Sequence, residues 1–478
     1  MVAVTCYLIN HNYVNEVQTV AQLFSPGNCF VYASTPPAQY PSGYIVETYV
    51  FENFVSAIII KDGNGMARHN TYFCELPLHL SPRRALMLAV YHALQNTIGA
   101  YTPWGALTGI RPTKMVREWL ENSYSHEKII ALMADPFCCT EEKAHLALKV
   151  AEAEIELTRR IYASQLPTPI GIYISIPFCP TRCAYCSFNV DHKPAAKDIE
   201  EQYITKLIQE FPATVQRLRE LGGNVSSIYI GGGTPTALSE RLLEQLLDAV
   251  AASFHPQPGL EFSVEAGRPD TFTKSKLALL RCYGVNRIAV NPQTLNDNTL
   301  AIIGRKHTAA DFFHAFNMAR DAGFECINTD IIAGLPGETS DDMSRTMEGI
   351  VKLSPENITV HTLAIKRASR LNAAIERYSL PDAKTTETML GIASTACRSA
   401  GLEPYYLYRQ KNMVGMFENV GYSKPGHECL YNVGMMAETQ TILGIGAGAV
   451  SKFVDLTNNK IYREFNIKNP EIYVERNK

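Results

Sequence analysis

The spacing of hydrophobic positions changes along this chain, and the changes outline its organisation. Residues 1–165 open with short apolar runs of β character, VAVTCYLIN, CFVYAS, YIVETYVF and SAIIIKD, and then shift to helical spacing in SPRRALMLAVYHALQNTIG and TEEKAHLALKVAEAEIELTRRIY. This order predicts a small N-terminal α+β accessory domain. Within it, PWGALTGIRPTKMVREWL places Pro and Gly at turn positions ahead of an amphipathic helix, which reads as a structural turn packed on Trp104. The segment QLPTP at 165–169 carries prolines and no apolar period, and marks the domain boundary.

Beyond it, β-branched or aromatic runs alternate with longer helical patterns. The runs are GIYISIP (171–177), SSIYIGG (226–232), LEFSVEA (260–266), NRIAVNP (286–292), ECINTDIIAG (325–334) and NITVHTL (357–363). Repeated βα units build a parallel sheet with helical crossovers. The pattern therefore predicts an α/β core, a partial (β/α)6 barrel over 166–370, with a C-terminal α+β extension over 371–478 covering the active site. In such folds chemistry gathers at the C-terminal ends of the strands, so candidate residues are sought there.

Composition narrows the class. The 478 residues are 46% hydrophobic and 19% charged, which excludes a disordered or low-complexity chain. With 44 Lys+Arg against 47 Asp+Glu, the net charge of -3 offers no global basic field for nucleic acid or anionic membrane. The start MVAVTCYLINHNYVNEVQTV lacks the features of a secretory signal, and no apolar run reaches the ~18 residues of a membrane helix, so a cytoplasmic chain is expected. Its 12 cysteines are then expected to be reduced. Three of them, Cys179, Cys183 and Cys186, cluster in IPFCPTRCAYCSF directly after the first barrel strand.

Structural zinc needs four protein ligands, and no second C-x2-C pair follows, so a zinc site would have to recruit His192. A [4Fe–4S] cluster normally takes four cysteines, and three leave one iron open to a small molecule. The C-x3-C-x2-C spacing, with the aromatic Tyr185 before the last cysteine, resembles the radical S-adenosylmethionine (SAM) superfamily. The resemblance implies a partial-barrel fold and a [4Fe–4S] cluster whose open iron chelates the amino and carboxylate groups of SAM. It further implies a low-potential electron donor, and cleavage of SAM to methionine and a 5′-deoxyadenosyl radical that abstracts hydrogen. An oxygen-poor cytoplasm follows.

Other strand ends carry glycine or polar residues: GGGTPT (231–236), Glu265, Gln293, Asp330, His361 and Ala364. Glycine suits a backbone that must approach a ligand, and a carboxylate can accept two hydrogen bonds from a ribose diol; taken singly, each also reads as a tight turn or a helix cap. In order, IPFC, GGGTPT, VEAGRPD, the Gln293 region, GRKH (304–307), DIIAGLPGET (330–339) and LGIGAGAVS (443–451) resemble the oxygen-independent coproporphyrinogen III oxidase, or HemN-like, group over about 165–455. Members convert two propionates of coproporphyrinogen III to vinyls, giving protoporphyrinogen IX in haem biosynthesis, and the group implies two SAM molecules side by side. Carried over by position, Cys179, Cys183 and Cys186 are the cluster ligands, and Tyr173, Gly232 and Glu265 contact the cluster-bound SAM. Tyr185, Gly233, Thr234, Gln293, Arg305, Asp330, Ala364 and Val450 contact the second. No catalytic residue is carried over.

The long N-terminal domain and EPYYLYRQKNMVGMFENVGY (403–422) resemble the HemZ branch, the coproporphyrinogen dehydrogenases. Two departures leave alternatives open, a haem-binding chaperone-like relative or a radical enzyme acting on haem or another tetrapyrrole. Ser187-Phe188 stands where the oxidases have a further cysteine, as in the haem chaperones. The chaperones' His-Asn…Tyr-Trp element is replaced by Tyr431-Asn432-Val433-Gly434-Met435-Met436, leaving His427 as a substitute ligand. An anionic tetrapyrrole would need cations, and Lys366, Arg367, Arg370, Arg409 and Lys411 are the candidates. LGIGAGAVSK fits a relaxed dinucleotide pattern, but too little chain follows for that fold, so it reads as a glycine-rich segment covering the radical site. A monomer is expected.

Overall fold

The computed structural model describes residues 3–25, 27, 29–33, 42–61, 64–72, 80–100, 102–109, 111–163, 168–187, 197–410, 413–455, 458 and 460–476. The chain divides into two compact units, Met1–Leu148 and Lys149–Lys478.

The first unit holds β1 (Val4–Ile9), β2 (Cys29–Tyr32), β3 (Tyr44–Val50), β4 (Phe54–Lys61) and β5 (Asn64–Tyr72), in the order β2-β1-β3-β4-β5. β1 runs parallel to β2 and β3, and β3, β4 and β5 follow as an antiparallel meander. The helix Pro82–Thr97 buries Ala85, Leu86, Ala89, Val90, Ala93 and Leu94, the helical spacing read from its sequence. β5 has no counterpart in the apolar pattern: NGMARHNTY lacks an apolar face, and pairing with β4 makes it a strand. Trp104 is buried, as the turn reading expects.

The second unit is built on one sheet. Its strands are β6 (Thr168–Ile176), β7 (Gly223–Gly232), β8 (Glu261–Val264), β9 (Arg287–Ala289), β10 (Cys326–Ala333), β11 (Asn357–Thr362), β12 (Glu403–Tyr408), β13 (Asn419–Ser423), β14 (Thr441–Ile445), β15 (Val450–Asp455) and β16 (Lys460–Phe465). β6 to β11 lie side by side and parallel, each coinciding with a predicted run. Crossover helices show why the chain returns to the sheet. Glu240–Phe254 starts at Ser239, whose side chain accepts from the Leu242 N–H, and buries Leu242, Leu243, Leu246, Leu247 and Val250 on one face. Truncating one such leucine to alanine would cost about 2–5 kcal/mol.

Residues 371–478 extend the same sheet at both edges. β13 pairs antiparallel with β11 and β12 pairs antiparallel with β13 at one edge, and β14 adds a further parallel strand beside β6 at the other. The reading of LGIGAGAVS as a cover is therefore corrected: it is the end of β14, a turn and the start of β15. Gly444 serves close strand packing, since a Cβ there would lie 2.8 Å from the Val450 backbone. No helix among the described residues is long and apolar enough to cross a membrane.

Candidate active site

A cavity of about 580 Å³ opens at the C-terminal ends of the parallel strands. Cys179, Cys183 and Cys186, on the loop after β6, line it together with Tyr185. Neighbouring segments hold that loop through its backbone. Thr234 N–H donates to Phe178 O at 2.7 Å, Ala184 N–H to Ile303 O at 2.8 Å, and Leu371 N–H to Ala184 O at 2.8 Å. Gly232 and Gly233 at the end of β7, then Thr234, Glu265, Gln293, Arg305, Asp330 and Ala364, complete the predicted residues on the same wall. Five strand ends and the loop after a helix thus converge, which is what a parallel sheet with one hand of crossover produces.

Polar groups in the cavity are held firmly. Glu265 accepts from the Tyr229 hydroxyl at 2.6 Å and from the Gly232 N–H at 3.1 Å. Burial pushes its carboxyl above the ordinary range despite those bonds, and Asp330 adds to the push. Asp330 moves the other way. Burial works to raise it, but the neighbouring His361, whose Nε2 lies 3.7 Å away, and the polar side chains of Asn328 and Thr359 prevail and hold it low. Asn291 Nδ2 also donates to Asp330 at 2.8 Å, and Asn328 Nδ2 donates at 2.7 Å. Arg305 donates to Asn291 O at 2.6 Å, to Gly267 O at 3.2 Å and to the Tyr185 hydroxyl at 3.4 Å. Burial pushes the Cys179 thiol up to about 11, against the pull of Thr234 and Arg268.

Tyr173 and Val450 do not line the cavity. Tyr173 stacks on Tyr229 at 6.3 Å and on Tyr431 at 6.1 Å, supporting from below the tyrosine that holds Glu265. Val450 begins β15, paired with Phe465. Of the cationic candidates, Lys366 lines the cavity, hydrogen-bonded to Gln410. Arg367 and Arg370 are exposed, and Arg409 is buried, donating to Met416 O at 2.7 Å. Lys411 and His192 lie outside the described residues. The His427 carbonyl accepts from Arg287 and Asn357, which begin β9 and β11, so His427 stands at the opposite end of the sheet. Arg268, Asn291, Tyr408, Gln410 and Asn419 line the cavity without having been singled out. Each lies in a segment that the sequence marks without resolving the residue: Arg268 in VEAGRPD directly after the Glu265 strand end, Asn291 in the run NRIAVNP, and Tyr408, Gln410 and Asn419 within 403–422.

The residues fit a cluster and a polar adenosyl ligand. No three His, Cys, Asp or Glu side chains among the described residues are gathered closely enough for a single metal ion. A cubane asks for wider spacing, because each thiolate binds a different iron. The Gln293 amide oxygen and Arg305 Nε are buried on the cavity wall without a hydrogen-bond partner, groups that a bound polar ligand would satisfy. Gln293 also adopts a left-handed φ of 70°, a conformation stored at binding sites more often than elsewhere.

A family model described as the radical SAM superfamily matches residues 173–350. The oxygen-independent coproporphyrinogen-III oxidase-like protein HemZ of Bacillus subtilis (strain 168) is 35% identical over 466 residues, covering 96% of this chain and 92% of that protein. The heme chaperone HemW of the same organism is 32% identical over 283 residues, covering 58% of this chain and 69% of its own length. Among solved structures, the coproporphyrinogen III oxidase HemN of Escherichia coli, a radical SAM enzyme, shares the fold with a TM-score of 0.50 at 24% identity, over 63% of this chain and 67% of that one. The chain therefore belongs to the radical SAM superfamily, in the HemN- and HemZ-like group, whose cofactors are a [4Fe–4S] cluster and SAM.

Proposed function

We propose that this chain carries out the oxygen-independent oxidative decarboxylation of coproporphyrinogen III to protoporphyrinogen IX. When bound, the cluster and SAM supply a 5′-deoxyadenosyl radical that takes a hydrogen atom from a propionate β-carbon. The substrate would then lose that propionate's carboxylate as CO2 and pass one electron to an external acceptor, leaving the two remaining side-chain carbons as the vinyl group.

The chain's own residues bind and orient. Cys179, Cys183 and Cys186 hold three irons. Gly232 lets the backbone come close to the cluster-bound SAM, and Glu265 accepts from its hydroxyls or ammonium. Gln293, Arg305, Asp330 and Ala364, with Tyr185, Gly233 and Thr234, flank a second SAM on the same wall. Lys366 faces the cavity with the neutral Gln410 amide as its bonded partner. Burial lowers its ammonium pKa, a tendency that a substrate carboxylate would reverse.

One observation carries this reading. The three thiols share a single cavity with buried, unpartnered polar groups on one side and a lysine on another. The test is product analysis. Full-length protein, reconstituted anaerobically and given dithionite and SAM, is incubated separately with coproporphyrinogen III and with haem, and the tetrapyrroles are read by mass spectrometry. Protoporphyrinogen IX from the first is expected; a modified haem with no change in coproporphyrinogen III would replace the substrate assignment.

A second reading, a haem carrier that retains the cluster, draws support from the Ser187-Phe188 ending and the similarity to HemW. It predicts a Soret change on haem titration that weakens in His427→Ala, and an unchanged Soret band disposes of it.

A further inference from the structure

Arg268, on the turn after β8, is 3% exposed, and its guanidinium reaches into the cysteine loop. Nη2 donates to Thr181 Oγ1 at 2.6 Å, and Nη1 donates to Thr181 O at 3.3 Å and to Cys183 Sγ at 3.6 Å. Nε donates to Asp270 Oδ1 at 3.3 Å. Thr181 in turn donates from Oγ1 to Gly304 O at 3.1 Å, so one guanidinium connects the β8 end, the cysteine loop and the turn before Arg305.

A cation withdrawn from water is tolerated when its donors are met and negative charge lies close. Asp270 meets one donor from a position 25% exposed, while the fork of the guanidinium faces Thr181 and Cys183. A thiol is a weak acceptor, whereas a thiolate bound to iron carries shared negative charge and accepts strongly. The arginine is thus placed where its charge is best used once iron is bound.

We propose that Arg268 is a positioning residue of the cluster. Its fork ties the cysteine loop to the end of β8 through Thr181, and its Nη1–H bond to Cys183 Sγ raises the reduction potential of the cluster. Reduction adds negative charge to the cluster, and a donor and a fixed cation at one ligand sulfur favour the reduced form. The inference rests on the reading of Cys183 as a cluster ligand.

The experiment compares wild type, Arg268→Gln, Arg268→Lys and Cys183→Ala as full-length, anaerobically reconstituted proteins. Iron content, visible absorbance and the midpoint potential from an EPR-monitored titration without SAM are read for each. Cys183→Ala should lose the cluster signature; if it keeps a wild-type cluster, the ligand reading fails. Arg268→Gln should keep a cluster with a more negative midpoint. Arg268→Lys should fall between, since a point-like ammonium keeps the charge but does not reproduce the guanidinium fork. With Cys183→Ala empty, a wild-type midpoint in Arg268→Gln overturns the role of Arg268. If Arg268→Gln retains no iron, Arg268→Lys decides: a more negative midpoint upholds the role and an unchanged one overturns it.

Discussion

Replacing Gly233 by alanine tests how tightly the cluster loop is keyed to the sheet. Gly233 N–H donates to Ile176 O and Thr234 N–H donates to Phe178 O, both at 2.7 Å, fastening the end of β7 to the segment that leads into Cys179. A Cβ on Gly233 would lie 2.5 Å from Phe178 O and 2.9 Å from Ile176 O, backbone atoms that no rotamer change can move. Restoring an ordinary C···O contact of about 3.3 Å requires a shift of roughly 0.8 Å, enough to break both bonds. At about 1 kcal/mol for each bond and about 1–3 kcal/mol for overpacking, Gly233→Ala should destabilise the fold by about 3–5 kcal/mol. It should also displace Cys179, whose Sγ lies 3.3 Å from Thr234 Oγ1. The assays are the urea midpoint at constant slope and the iron retained after anaerobic reconstitution. Gly391, in the helix Ala383–Ser399, is the control: a Cβ there meets nothing within 4 Å, and alanine should stabilise by about 0.5–1 kcal/mol. A Gly233→Ala protein with the wild-type midpoint and full iron would refute the packing argument.

Three other outcomes follow from the same geometry. Alanine at Cys179 or Cys186 should abolish both the cluster absorbance and 5′-deoxyadenosine formation, and retention of both would refute the ligand assignment. Lys366→Met should remove one charged hydrogen bond to a substrate carboxylate, worth about 1.5–3 kcal/mol, and raise KM for coproporphyrinogen III roughly 10- to 100-fold; an unchanged KM would take Lys366 out of substrate binding. Glu338, 4% exposed and accepting from Thr294 Oγ1 at 2.5 Å, has its carboxyl pushed up to about 7, first by burial and then by Asp342. The folded chain therefore holds this proton more tightly than the unfolded chain. Its stabilising share is full below the ordinary carboxylate range and is lost as pH rises to about 7, by about 3 kcal/mol in all. Glu338→Gln should gain most of that, about 2.5 kcal/mol, over wild type between pH 5 and pH 8 in urea unfolding, and an equal offset at both pH values would contradict the assignment.

Local periodicity made six parallel strands legible, because β-branched runs such as GIYISIP and NITVHTL are buried between crossover helices whose leucines repeat at helical spacing. It failed where tertiary pairing makes the strand. β5 is polar and depends on β4, and β14 was hidden by Gly444, a residue chosen for close backbone approach rather than β propensity. The site shows the same division. Glu265, Gln293 and Asp330 could be read because the βα rule places strand ends on one wall. Tyr408, Gln410 and Asn419 reach that wall from β12, β13 and the segment between them, whose antiparallel pairing beside β11 no local signal announces. Tyr173 could be named but not placed: its ring stacks on Tyr229 and Tyr431, beneath the residues that line the cavity.

The central claim is that this cavity directs hydrogen abstraction to a propionate side chain. Coproporphyrinogen III deuterated at the propionate β-carbons, incubated with the reduced, reconstituted full-length protein and SAM, tests it most directly. The account predicts deuterium in the 5′-deoxyadenosine and a tetrapyrrole that has lost CO2 from two propionates. Unlabelled 5′-deoxyadenosine formed by an intact cluster, with the tetrapyrrole mass unchanged, would contradict it.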